Sequence, residues 1–172
     1  MNRYLTTATL LALLALPPHA RATDPPRQAE VAARGADVMP FSLAATLHVF
    51  TKTPDGGVQR VVARRADDAD QVALVRAHLR EMQARFRQGD FAGPAHIHGA
   101  AMPGLAELRA AKPGQLAIEF AEVDAGAELT YRTADARLVA ALHQWFDAQV
   151  ADHGADAMAG HMHHDMGGPT RP

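Results

Sequence analysis

Apolar residues alternate through "FSLAATLHVFTKT" (41–53), where Phe41, Leu43, Ala45, Leu47 and Val49 recur at every second position. That period predicts a strand with one buried face. "TPDGG" follows as a turn, with Asp55-Gly56 favouring a hairpin loop, and "VQRVVARR" (58–65) is the return strand. The period then changes. In "ADDADQVALVRAHLREMQARFRQGD" the residues Val72, Val75, Leu79, Met82 and Phe86 recur at alternating spacings of three and four, one face of a helix. Asp67, Asp68 and Asp70 supply a cap and a negative first turn, while Arg85, Arg87 and Gly89 suit its end. A connector over 91–114 closes with a short helix from Pro103 or Gly104 to Ala111. "QLAIEFAEV" (115–123) alternates again, "DAG" turns and "AELTYRT" (127–133) returns. The last helix carries Leu138, Leu142, Trp145 and Gln149 on one line, with Val139, Phe146 and Val150 beside it, and Gly154 ends it.

Residues 43–88 and 115–153 therefore share one order: strand, turn, strand, acidic cap, helix. The expected fold class is α+β, with two ββα repeats forming one antiparallel four-stranded sheet and both helices packed on one face. The domain spans 41–154. A flexible leader precedes it at 23–40, with room for a short helix over Gln28–Arg34, and a tail follows at 155–172.

The first 22 residues change the setting. Arg3, the apolar run "YLTTATLLALLAL" and Ala20-Arg21-Ala22 have the pattern of a cleavable signal peptide, and the run is short for a membrane span. The expected location is the periplasm, with no membrane attachment after cleavage. Removing Arg3 and Arg21 and no acidic residue moves the formal net charge from −2 to −4, a balance that does not favour nucleic acid. There is no cysteine, which excludes disulfides, thiolate metal sites and cysteine nucleophiles.

Ten histidines and seven methionines stand out against one tryptophan and two tyrosines. Much of that excess lies in "AGHMHHDMGG" (159–168). Met158, His161, Met162, His163, His164 and Met166 give imidazole and thioether donors, in a stretch with glycines at both ends that allow sharp bends. Imidazole suits copper, zinc and nickel; thioether sulfur selects soft copper, so copper is the first expectation and zinc or nickel the alternatives. The bland alternative is a solvated tail with a compositional bias. A second candidate is "AHIHGAAMPG". In an extended segment His96 and His98 point the same way, and Met102 lies four residues on, so the three could form a soft site. Alternatively His98 caps a helix or bonds a carbonyl. His48, His78 and His143 fall on predicted elements and fit core-edge histidines, although the helices overlie one sheet and their clustering would make an internal site. His48 shares a strand face with Thr46 and Phe50, opposite Leu47 and Val49, and is expected on the open side of the sheet.

Enzyme motifs are absent: no G-x-S-x-G, Walker loop, dinucleotide-binding glycine pattern or H-E-x-x-H occurs. The segments "TKTPDGGVQRVV", "RAHLREMQARFRQGDFAGPAHIHGAAMPGL" and "LHQWFDAQVADHG" resemble a family of small exported proteobacterial proteins, over about residues 39–154. Some of these carry the name aspartate carbamoyltransferase. That enzyme's S-T-R-T-R carbamoyl-phosphate motif does not occur in this chain. The resemblance implies that His98 and Met102 within "IHGAAMPGL" belong to the family pattern. The sequence thus points to a periplasmic metal-binding protein for copper sequestration or transfer, with another periplasmic metal-handling protein as a partner. Its rivals are a small-ligand binding module and an enzyme using His98 as general base.

Overall fold

A computed structural model describes residues 24–161. The signal segment and Met162, His163, His164 and Met166 lie outside the described residues. The fold is α+β, with five helices and one five-stranded sheet. In chain order these are α1 (Pro25–Gly35), β1 (Thr46–Thr53), β2 (Gly56–Ala63), α2 (Ala69–Phe86), α3 (Ala92–His98), α4 (Leu105–Ala110), β3 (Ala117–Val123), β4 (Gly126–Arg132), α5 (Ala136–His153) and β5 (Ala157–Ala159).

The long helices form as their sequences dictate. The Asp68 carboxylate accepts from the Gln71 amide to cap α2, and Val75, Leu79, Met82 and Phe86 are its buried line. Asp135 caps α5 through the Arg137 amide, and Leu138, Leu142, Trp145 and Gln149 are buried. The first hairpin loop sits one residue upstream of the expected Asp55-Gly56, and the second is one residue shorter than the expected Asp124-Ala125-Gly126. Thr53 pairs with Gly56 across Pro54-Asp55, and Val123 pairs with Gly126 across Asp124-Ala125.

The sheet order is β3-β4-β2-β1-β5. Its first four strands are antiparallel, and α2 packs on β2, β3 and β4 while α5 packs on β1, β2 and β5. The expectation of a four-stranded, wholly antiparallel sheet is corrected by β5, which pairs parallel with β1 through His48↔Ala157 and Phe50↔Ala159. The chain past α5 is therefore part of the domain as far as Gly160, whose amide donates to the Phe50 carbonyl.

The leader is corrected as well. Helix α1 spans much of it and packs on α3 and α5, with Val31 fully buried, so the domain begins before residue 41. Strand β1 faces the opposite way from its expected orientation. A short 3-10 turn at Leu43–Ala45 breaks the alternation, and Thr46, His48 and Phe50 are the buried residues while Leu47 and Val49 lie on the outer face. His48 thus points under the helices.

Candidate functional site: a buried histidine cluster

Three elements meet at one place. His98 is the last residue of α3, Asp152 and His153 close α5, and His48 sits mid-strand on β1. Gln149, Asp152 and His153 fall on one side of α5, spaced three and four residues apart. The His48 and His153 rings lie parallel with centroids 5.2 Å apart, and the His153 and His98 rings meet edge-on at 5.0 Å. Phe41 joins His78 to the same row, 5.5 Å from His78 and 5.8 Å from His48. These four histidines line one cavity of about 50 Å³, together with Met39, Met82, Gln149 and Trp145. That volume holds an ion or a few waters and is far below the several hundred cubic ångströms of an organic-ligand pocket.

A clamp fixes the mouth of this cluster. The Arg27 guanidinium donates to both Asp152 carboxylate oxygens, at 2.8 and 3.3 Å, and to the His98 carbonyl at 2.7 Å. His98 Nδ1 lies 2.8 Å from Asp152 Oδ2. Burial opposes ionisation of Asp152, but hydrogen bonds from Arg27 and then His98 outweigh it and hold its carboxyl below the usual range. Because Asp152 is ionised, Nδ1 of His98 must carry the proton that it shares with the carboxylate. In the neutral ring the lone pair is then on Nε2. Arg27→Ala leaves Asp152 without its cation and is expected to cost about 2 kcal/mol, the range for hydrogen bonds to a charged group. Thermal melts of the variant check this, and an unchanged midpoint would show that the clamp carries no stability.

Burial keeps the remaining rings neutral. It pushes His48 down to about 4, while the Asp156 backbone works the other way. It pushes His153 down to about 2, helped by the proximity of His48 and His98. Burial also lowers His78, and it lowers His98 despite the opposing Asp152. Two buried polar atoms have no hydrogen-bond partner among the described residues, His48 Nδ1 and Trp145 Nε1. As they stand, no three His, Asp or Glu side chains among the described residues are arranged to hold a metal ion.

The sequence-derived sites fare differently. His96, His98 and Met102 do not share a site, because the segment is helical rather than extended. Residues two apart on a helix point to nearly opposite sides. His96 is exposed and pairs with Asp37 at 3.1 Å, His98 turns inward, and Met102 is buried in the core. Met158 and His161 border one surface hollow of about 500 Å³ beside Val49 and Arg60. His143 is a satisfied structural histidine, its Nε2 donating to the Thr53 and Gly56 carbonyls across the β1–β2 turn. His153 and Asp152 were not singled out by sequence. Their signal was their position one turn past the buried Gln149.

No protein-family model, curated protein or solved structure matches the chain. What the site does must be read from its own chemistry. Among the described residues no helix is long and apolar enough to cross a membrane.

Proposed function

We propose that this chain is a periplasmic copper-binding protein that sequesters or transfers the ion. Its inner site is the cavity of His48, His98 and His153, and the Met158–Met166 segment is an outer capture set. The observation that carries the proposal is the convergence of three imidazoles from three separate elements, one of them already oriented by a carboxylate. Ligating histidines typically donate their second ring N–H to such a group, as His98 does to Asp152. From metal–nitrogen lengths, two imidazoles on one ion have centroids roughly 5 Å apart. The observed separations are 5.0 and 5.2 Å. Convergence on one ion asks for rotation of rings about χ2, a broad torsion for histidine. Neutral rings offer lone pairs without first releasing protons. The scaffold supports this as two ββα halves, each contributing a helix to the cavity wall. Export through the N-terminal segment and hand-over to another periplasmic metal-handling protein belong to the same proposal. His96 and Met102 take no part in this inner site.

The test is a copper titration of the mature chain under a competing chelator. It is followed by bound metal and by fluorescence of Trp145, the only tryptophan, which lines the cavity. His48→Phe and His153→Phe are expected to weaken one equivalent at least tenfold and to abolish its fluorescence quench. Alanine at His161, His163 and His164 should remove other equivalents and spare that one. Binding no tighter than a generic histidine background in the parent chain would end the proposal.

A further inference from the structure

We infer that the inner site is selective for copper(I), and that Met39 and Met82 are its specificity-determining residues; this rests on the proposed copper-binding function. The two methionines reach the cavity from outside β1, α3 and the end of α5, which carry His48, His98 and His153. Met39 comes from the segment after α1 and Met82 from the buried line of α2. Both are 8% exposed. They share the wall with Val38, Leu79 and Ile97, so the lining is apolar apart from imidazoles, two amides and the Trp145 indole N–H.

Two physical arguments single out the monovalent ion. The first is charge. The lining holds no carboxylate, and Asp152, which bonds the lining residue His98 from behind, is already matched by Arg27 at 2.8 Å. An ion in this cavity therefore brings uncompensated charge into a poorly solvated place. That penalty grows with the square of the charge, so a divalent ion faces about four times the cost of a monovalent one. The second is softness. Neutral imidazole serves many metals, but thioether sulfur favours copper(I) over zinc and copper(II). Methionine's three rotatable bonds let its sulfur swing onto an ion without moving the backbone. His78, one turn before Met82 on α2, adds a further neutral donor at the same wall.

The competing account of Met39 and Met82 is gap-filling. Leucine separates the two, because it conserves volume and apolarity while deleting sulfur. The experiment uses the full mature chain with tail donors neutralised by His161→Ala, His163→Ala, His164→Ala, Met158→Leu, Met162→Leu and Met166→Leu. It is titrated anaerobically with copper(I) buffered by a copper(I)-specific chelator, and separately with copper(II) and zinc(II). Bound metal, Trp145 fluorescence and the melting temperature of the metal-free chain are read together. The expected result is a preference for copper(I) of a hundredfold or more. Met39→Leu with Met82→Leu should reduce copper(I) affinity at least tenfold, leaving zinc(II) affinity and the metal-free melt unchanged. If zinc(II) or copper(II) binds as tightly as copper(I), or the leucine pair binds copper(I) like the parent, the selectivity inference is overturned and the imidazole site stands. If no ion binds and no signal depends on His48 or His153, both fall together.

Discussion

Lowering the pH from 7.5 to 5 is expected to remove about 4 kcal/mol from the stability of the metal-free chain, roughly 2 kcal/mol for each of His48 and His153. Both are neutral in the fold because burial holds their folded values near 4 and near 2, against an ordinary value of 6.5. In the unfolded chain they bind protons as pH falls through 6.5; in the fold they do not. Unfolding therefore takes up protons, and stability falls with pH. The stabilisation is whole above about 6.5. It is lost progressively below it, until His48 begins to protonate in place near 4 and His153 near 2. His98 and His78 are lowered in the same direction and steepen the loss. Against a typical total of about 5–15 kcal/mol this is a large fraction. Urea unfolding at a series of pH values, followed by Trp145 fluorescence, measures it. The double variant His48→Phe, His153→Phe should flatten the profile, since phenylalanine fills the same space and binds no proton. A parent profile already flat between pH 7.5 and 5 would mean that the rings are solvated. In the fold protons reach the His48 lone pair only near pH 4, so an ion held there should not be displaced by protons within this window.

The two long helices α2 and α5 were legible in sequence because their apolar spacing and acidic caps agree. The hairpins were legible because alternation and turn residues coincide. The inward face of β1 was not, for a reason tied to the site. Its buried face carries Thr46 and His48, while its outer face carries Leu47 and Val49, so hydrophobicity pointed the wrong way where the fold buries polar chemistry. Strand β5 is three residues long and pairs with a strand about 110 positions earlier, so no local pattern announces it. Helix α1 is anchored by Val31 and by a polar clamp on Asp152, 125 positions from Arg27. A hydrophobic scan sees neither. The H-x-H spacing of His96 and His98 reads as extended, yet Pro94 falls in the first turn of α3, where a missing N–H costs nothing. Two of the three inner-site histidines, His48 and His98, stood out individually in sequence; their convergence with His153 depended on tertiary contacts.

Replacing Trp145 with alanine is expected to cost about 3–5 kcal/mol, the usual penalty for emptying a large aromatic site in a core. Its side chain is fully buried between both long helices and the sheet, with Phe86, Phe91, Tyr131 and Phe146 at centroid distances of 5.8–6.1 Å. No neighbouring side chain can collapse into that space without breaking another of these contacts. Trp145→Phe separates packing from polarity. It keeps one ring, and it deletes an indole N–H that has no partner among the described residues, a burial that itself costs about 1–3 kcal/mol. The phenylalanine variant should therefore lose no more than about 2 kcal/mol, since relief of the orphaned donor offsets part of the lost volume. Thermal and urea melts followed by far-ultraviolet circular dichroism compare the two, because both variants lack the fluorophore. A phenylalanine variant as unstable as the alanine variant would mean that the indole N–H is bonded within the cavity. Trp145 would then belong to the site's polar network rather than to its apolar wall.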